Sequence, residues 1–102
     1  MSTKLSPEQL AGRCLADVIN EHGHRLLGLA FSILNNEEDA EEALQDAWMK
    51  VYQSLLRGEE LRALARWLTT VVANASKDVY RKRRREAKAR AESLSDKGHP
   101  AA

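Results

Sequence analysis

Apolar residues recur at three- and four-residue spacing along most of this chain, and β-branched runs with period two are absent. That spacing gives a helix one stripe to bury and gives a strand no face of its own, so an all-α fold is expected. Two prolines and five glycines punctuate the sequence, too few turn formers for many short strands. A chain of 102 residues supports one domain with a modest core. The expectation is a compact three- to four-helix domain over residues 1–94, with residues 95–102 as a linker or tail.

Local signals place the helices. Ser6-Pro7-Glu8-Gln9 supplies an N-cap serine, a proline at the first helical position and a glutamine three residues after the cap. Leu10, Cys14, Leu15, Val18 and Ile19 then form a stripe expected to end or bend near His22-Gly23-His24. The pattern resumes with Leu26, Leu27, Ala30, Phe31 and Leu34, so the second piece is either a continuation or a close neighbour. Asn35-Asn36 reads as a turn and cap, and Glu37, Glu38 and Asp39 put carboxylates where the next helix dipole favours them.

The second helix is expected from Glu37 to Leu56, with Gly58 as its stop. Its apolar face is Ala40, Ala43, Leu44, Ala47, Val51 and Leu55, which leaves Glu42, Gln45, Asp46, Met49 and Gln53 on another face. A last helix turns Leu61, Leu64, Leu68, Val71, Val72, Ala75 and Val79 inward. Its apolar period fades after Tyr80, so residues 81 to about 93 read as a solvated helical extension.

Charge separates the two halves of the chain. Residues 1–60 carry 5 Lys/Arg against 11 Asp/Glu, and residues 61–102 carry 11 against 4, within a net charge of only +1. An acidic surface and a basic one imply two partners of opposite character. Cys14 is the single cysteine, which rules out an internal disulfide and reads as a buried structural thiol. No apolar h-region opens the chain, and its longest apolar stretch, Leu26 to Leu34, falls far short of the ~20 residues of a membrane span. A soluble cytoplasmic protein without a membrane role is expected.

Catalysis finds little support. Glu21 and His24 give one Glu-x-x-His spacing where carboxylate di-metal bundles need two and further carboxylates. His22 and His24, two apart, leave a helix on different sides, so no metal site and no cofactor is expected. The acidic cluster from Glu37 to Glu42 lacks the alternation of a calcium loop, and Glu37, Glu38 and Glu41 read as a solvated, capped helix start.

The last helix carries more. At about 100° per residue, Trp67, Thr70, Asn74, Asp78 and Arg81 share one arc beside the apolar stripe, followed by Arg81-Lys82-Arg83-Arg84-Arg85. An amide can pair with a base edge, an aromatic can stack on an unpaired base, and guanidinium groups can hold phosphates. The plainer reading makes Trp67 core, Asn74 a surface amide and the cations a solvated run.

At these residues the chain resembles region two of the extracytoplasmic-function sigma factors of bacterial RNA polymerase. Asn36-x-x-Asp39-Ala40-Glu41-Glu42-x-x-Gln45-Asp46-x-Trp48-x-x-x-Tyr52, then Arg57-Gly58-Glu59, then Trp67-Leu68 with Asn74 and Asp78, occur in the family's order from about Val18 to Arg85. The resemblance implies that Glu42, Gln45, Asp46 and Met49 contact the clamp-helix coiled coil of the polymerase beta-prime subunit. It further implies that Trp67, Thr70, Asn74 and Asp78 face the melted non-template strand of the minus-ten element, with Lys77, Arg81, Lys82, Arg83 and Arg84 along its backbone.

Two departures stand out: the connection from Glu59 to Trp67 is longer than the common pattern, and Thr69-Thr70 replace a frequent Tyr-Arg. Asp96-Lys97-Gly98-His99-Pro100 reads as the start of an interdomain linker, so the expectation is an isolated region-two domain without the family's second, helix-turn-helix domain, either cut from a longer protein or naturally short. Function is then transcription initiation. Two rivals are a sigma-like module held by an anti-sigma factor and a generic basic helical nucleic-acid binder.

Overall fold

A computed structural model describes residues 4–59 and 63–98, with side chains as far as residue 94. Three helices make up the fold: α1 (Pro7–Leu34), α2 (Glu37–Leu56) and α3 (Leu64–Gly98). The all-α expectation holds. Each helix packs on both of the others, and Leu61, assigned to the core by its spacing, lies outside the described residues.

Local chemistry sets most helix ends. Ser6 accepts from the Gln9 backbone N–H at 3.1 Å, and the Gln9 side chain accepts from the Ser6 N–H at 2.8 Å, so a capping box closes the start of α1. Asn35 takes the left-handed conformation that an asparagine tolerates (φ 51°), and its N–H reaches the Phe31 carbonyl at 2.7 Å. Asn36 then caps α2 by accepting from the Asp39 N–H at 2.9 Å. A turn of two residues leaves α1 and α2 antiparallel neighbours.

α2 ends in a Schellman motif. Gly58 adopts φ +72°, the Gly58 N–H bonds the Leu55 carbonyl at 3.0 Å, and the Glu59 N–H bonds the Ser54 carbonyl at 3.2 Å. Glycine supplies the positive φ without the Cβ penalty.

The core is narrow and rich in alanine. Ala30, Ala40, Ala43 and Ala47 are fully buried and let the helices approach closely, while Leu26, Val51, Leu68 and Val72 fill the space between them. Burying a leucine or valine of this kind stabilises by ~1.5–3 kcal/mol. Two serines join the core: Ser76 donates to the Val72 carbonyl of its own helix at 2.8 Å, and Ser54 lies near the end of α2.

For α1 one alternative is decided and one expectation is corrected. Of the two readings for the second piece, continuation holds: the helix does not end at His22-Gly23-His24 but runs unbroken for 28 residues, because the buried line through Val18, Leu26 and Ala30 continues across the glycine. A glycine inside a helix costs only ~1 kcal/mol relative to alanine, less than that line contributes. Cys14 is exposed rather than a buried thiol. The covered line of this half runs through Ala11, Leu15 and Val18, so Leu10, Cys14 and Ile19 flank it in solvent.

α3 outruns its partners. At ~1.5 Å per residue its 35 residues extend ~52 Å, against ~30 Å for the 20 residues of α2. Every described side chain from Arg84 to Leu94 is exposed. Among the described residues, no helix is long and apolar enough to cross a membrane.

Candidate nucleic-acid and protein interface

The stripe that the α2 core leaves over is where its spacing places it. Gln45 and Asp46 are exposed and Met49 is 63% exposed, so a flexible thioether stands in solvent between polar neighbours. Glu42, one turn earlier, is different: its carboxylate is already engaged within the molecule.

Arg83 makes the engagement. From α3 its guanidinium donates to Glu42 at 2.6 Å, to Asp39 at 2.9 Å and to Glu86 at 3.1 Å, and Lys82 adds a 3.3 Å contact to Glu42. Asp39 is the most sheltered member, its side chain 18% exposed. The hydrogen bond to Asp39, then that to Glu86, raises the Arg83 pKa above its ordinary value, with partial desolvation opposing. A planar fork with all its corners occupied fixes α3 against the first turns of α2.

On α3 the arc of Trp67, Thr70, Asn74, Asp78 and Arg81 divides into a sheltered end and an open one. Trp67 is partly buried and packs against the core. Thr70 is exposed with its hydroxyl donating to the Arg66 carbonyl at 3.2 Å, Asn74 and Lys77 are exposed, and Arg81 lies 3.4 Å from Asp78. Both partners of that last pair are about two-thirds exposed, so it holds neither strongly.

The two candidate faces adjoin. Asp46, Met49, Lys50 and Gln53 from α2 and Ala75 and Asp78 from α3 line one groove of about 270 Å³. A shallower groove further along α3 is lined by Lys77, Tyr80, Arg81, Arg84 and Arg85, with the Arg84 guanidinium 5.9 Å from the centre of the Tyr80 ring. Between α1 and α2, Leu15, Trp48, Met49, Tyr52, Gln53 and Leu56 line an apolar groove of about 530 Å³.

Several of these features escape the spacing argument. Spacing marks Asp39 only as a first-turn carboxylate, yet it receives Arg83 from 44 residues away. One signal was present: extending the buried line Leu68, Val72, Ala75, Val79 by one further step of four lands on Arg83. Arg25 likewise ties α1 to α3 through the Thr69 hydroxyl at 3.0 Å and the Ala65 carbonyl at 3.5 Å. Among the described residues, no three His, Cys, Asp or Glu side chains gather as a metal site would require.

A profile of the sigma-70 region 2 family matches residues 18–86. No curated protein and no solved structure matches the chain. In general, region 2 binds core RNA polymerase and recognises the minus-ten promoter element, as a transcription factor domain rather than a catalytic one. The matched span takes in the α2 stripe, the Arg83 clasp and the whole Trp67 to Arg81 arc, and it covers well over half of the sequence: the chain belongs to the sigma-70 region 2 family.

Proposed function

We propose that this chain is the region-two domain of an extracytoplasmic-function sigma factor, acting in the cytoplasm, in which α2 docks on the clamp helices of the beta-prime subunit and α3 reads the minus-ten element as an unpaired strand. The observation that carries this reading is the groove shared by Asp46 and Met49 of α2 and Asp78 of α3. A surface offered to polymerase there lies directly beside one offered to DNA, so the partners can be held at the same time.

Roles follow from exposure. Gln45, Asp46 and Met49 form the open part of the docking stripe, with Glu42 at its edge. Asn74 and Asp78 approach bases, Thr70 and Trp67 border them from the core side, and Lys77, Arg81 and Arg84 hold phosphates. Lys82 and Arg83 contact Glu42 and Asp39, which supports a role for them in holding α3 in place.

The test is binding of Gln45→Ala/Asp46→Ala to core polymerase beside its melting temperature. Both side chains are exposed, so stability should change by no more than ~0.5 kcal/mol while polymerase affinity falls. Unchanged affinity at unchanged stability would remove the docking role from α2.

A further inference from the structure

The groove around Tyr80 lies outside the base-reading arc. With ~100° per residue, Tyr80 sits about 120° around α3 from Asn74, and Lys77 and Arg81 fall between the two. Along the axis the separation is about 9 Å. Stacked nucleotides advance ~3.4 Å each, so the groove is about two to three nucleotides from a base held at Asn74.

Its composition is specific. Tyr80 is 48% exposed on a helix whose other large apolar side chains in this region, Val72 and Val79, are buried. The ring has no core to join at its outer edge, and its phenol makes no hydrogen bond among the described residues. Around it stand four cations, Lys77, Arg81, Arg84 and Arg85. Of these, among the described residues, only Arg81 has an acidic partner, Asp78. The Arg84 guanidinium, 5.9 Å from the ring centre, is within the ~6 Å range of cation–π attraction. An aromatic plane and a guanidinium plane side by side, surrounded by unneutralised cations, match a strand of phosphates carrying a base with an open π-face.

We propose that Tyr80, with the Arg84 guanidinium over its ring, forms a stacking platform for one unpaired base of single-stranded DNA, with Lys77, Arg81, Arg85 and the N–H edge of Arg84 holding the adjoining phosphates. The platform is a second subsite of the strand-binding surface proposed above and rests on that reading. It recognises unpaired character and not base identity, because every base has a π-face. A duplex, whose bases are stacked on one another, would engage the cations and leave the ring unused.

Fluorescence anisotropy of the full chain at low salt tests this, with a labelled single strand of minus-ten-like sequence, a scrambled strand and the duplex as probes. Tyr80→Ala should weaken both single strands by roughly ten-fold, leave the duplex unchanged and leave the slope of affinity against salt unchanged, since no phosphate contact is lost. Tyr80→Phe should retain single-strand affinity. Arg84→Ala with Arg85→Ala should flatten the slope by ~0.7 for each phosphate released. Asn74→Ala separates this from the base-reading role: it should reduce the preference between the two strands by weakening the minus-ten-like strand and leaving the scrambled one unchanged. Equal effects of Tyr80→Ala on strand and duplex, no effect on either, no single-strand binding by the wild type, or displacement of the strand by polyglutamate as readily as by unlabelled strand would each overturn the platform. Loss of preference in Asn74→Ala would still stand in any of those cases except the absence of binding.

Discussion

The Arg83 guanidinium of α3 donates to the Glu42 carboxylate of α2 at 2.6 Å, across 41 residues of sequence. The contact joins the basic half of the chain to the acidic half. It also removes one cation from the set available to DNA and one carboxylate from the set freely offered to polymerase.

Arg83→Met should therefore lower the melting temperature more than Arg85→Met does, although both remove one positive charge. The difference should shrink in high salt, since the contact is only partly sheltered from solvent. In a double-mutant cycle, Glu42→Gln should cost less stability in the Arg83→Met background than in the wild type. Equal melting of Arg83→Met and Arg85→Met would show that the clasp does not hold α3.

Leu68→Ala should destabilise by ~2–5 kcal/mol in denaturant unfolding, because Leu68 is fully buried between the helices. Asn74→Ala, exposed on the same helix, should stay within ~0.5 kcal/mol. Similar losses from the two would mean that α3 presents a different face to the core.

The two turns give separate expectations. Gly58→Ala places a Cβ on a backbone at φ +72° and should cost ~1–2 kcal/mol by the left-handed penalty alone, since nothing stands within 4 Å to clash. Asn36→Ala removes the acceptor for the Asp39 N–H and should cost ~0.5–2 kcal/mol. Neither should alter the salt dependence of DNA binding, and a change in that slope would show that the turns also position the cations.

Arg84→Ala should flatten the salt dependence of strand binding by ~0.7, whereas Arg83→Ala should leave it unchanged. The contrast follows from their surroundings, since Arg84 has no acidic partner among the described residues and Arg83 has three. A flattening by Arg83→Ala as large as that by Arg84→Ala would place Arg83 on the phosphates.

What was legible in the sequence is what local chemistry decides. The capping box at Ser6, the turn at Asn35-Asn36, both ends of α2 and the buried line from Leu68 to Val79 all follow from spacing and from donors and acceptors within a few residues. The continuity of α1 was one of two open readings, because a glycine weakens a helix by an amount that only packing on other helices decides. The exposure of Cys14 was not legible: periodicity gives the direction of a stripe but not how wide a strip its neighbours cover. In the candidate site, the exposed Gln45, Asp46, Met49 and Asn74 stand where their spacing set them, and the engagement of Lys82 and Arg83 with α2 depends on how two helices dock, which no run of charge encodes.

The most direct test of base reading by α3 compares opening of a cognate promoter with opening of one scrambled at the minus-ten element, by polymerase holoenzyme carrying this protein with and without Asn74→Ala. A lost base contact removes ~1–3 kcal/mol of discrimination, so the ratio of cognate to scrambled opening should fall by roughly ten-fold while polymerase binding is unchanged. The same ratio for both proteins would contradict base reading and leave α3 an electrostatic grip.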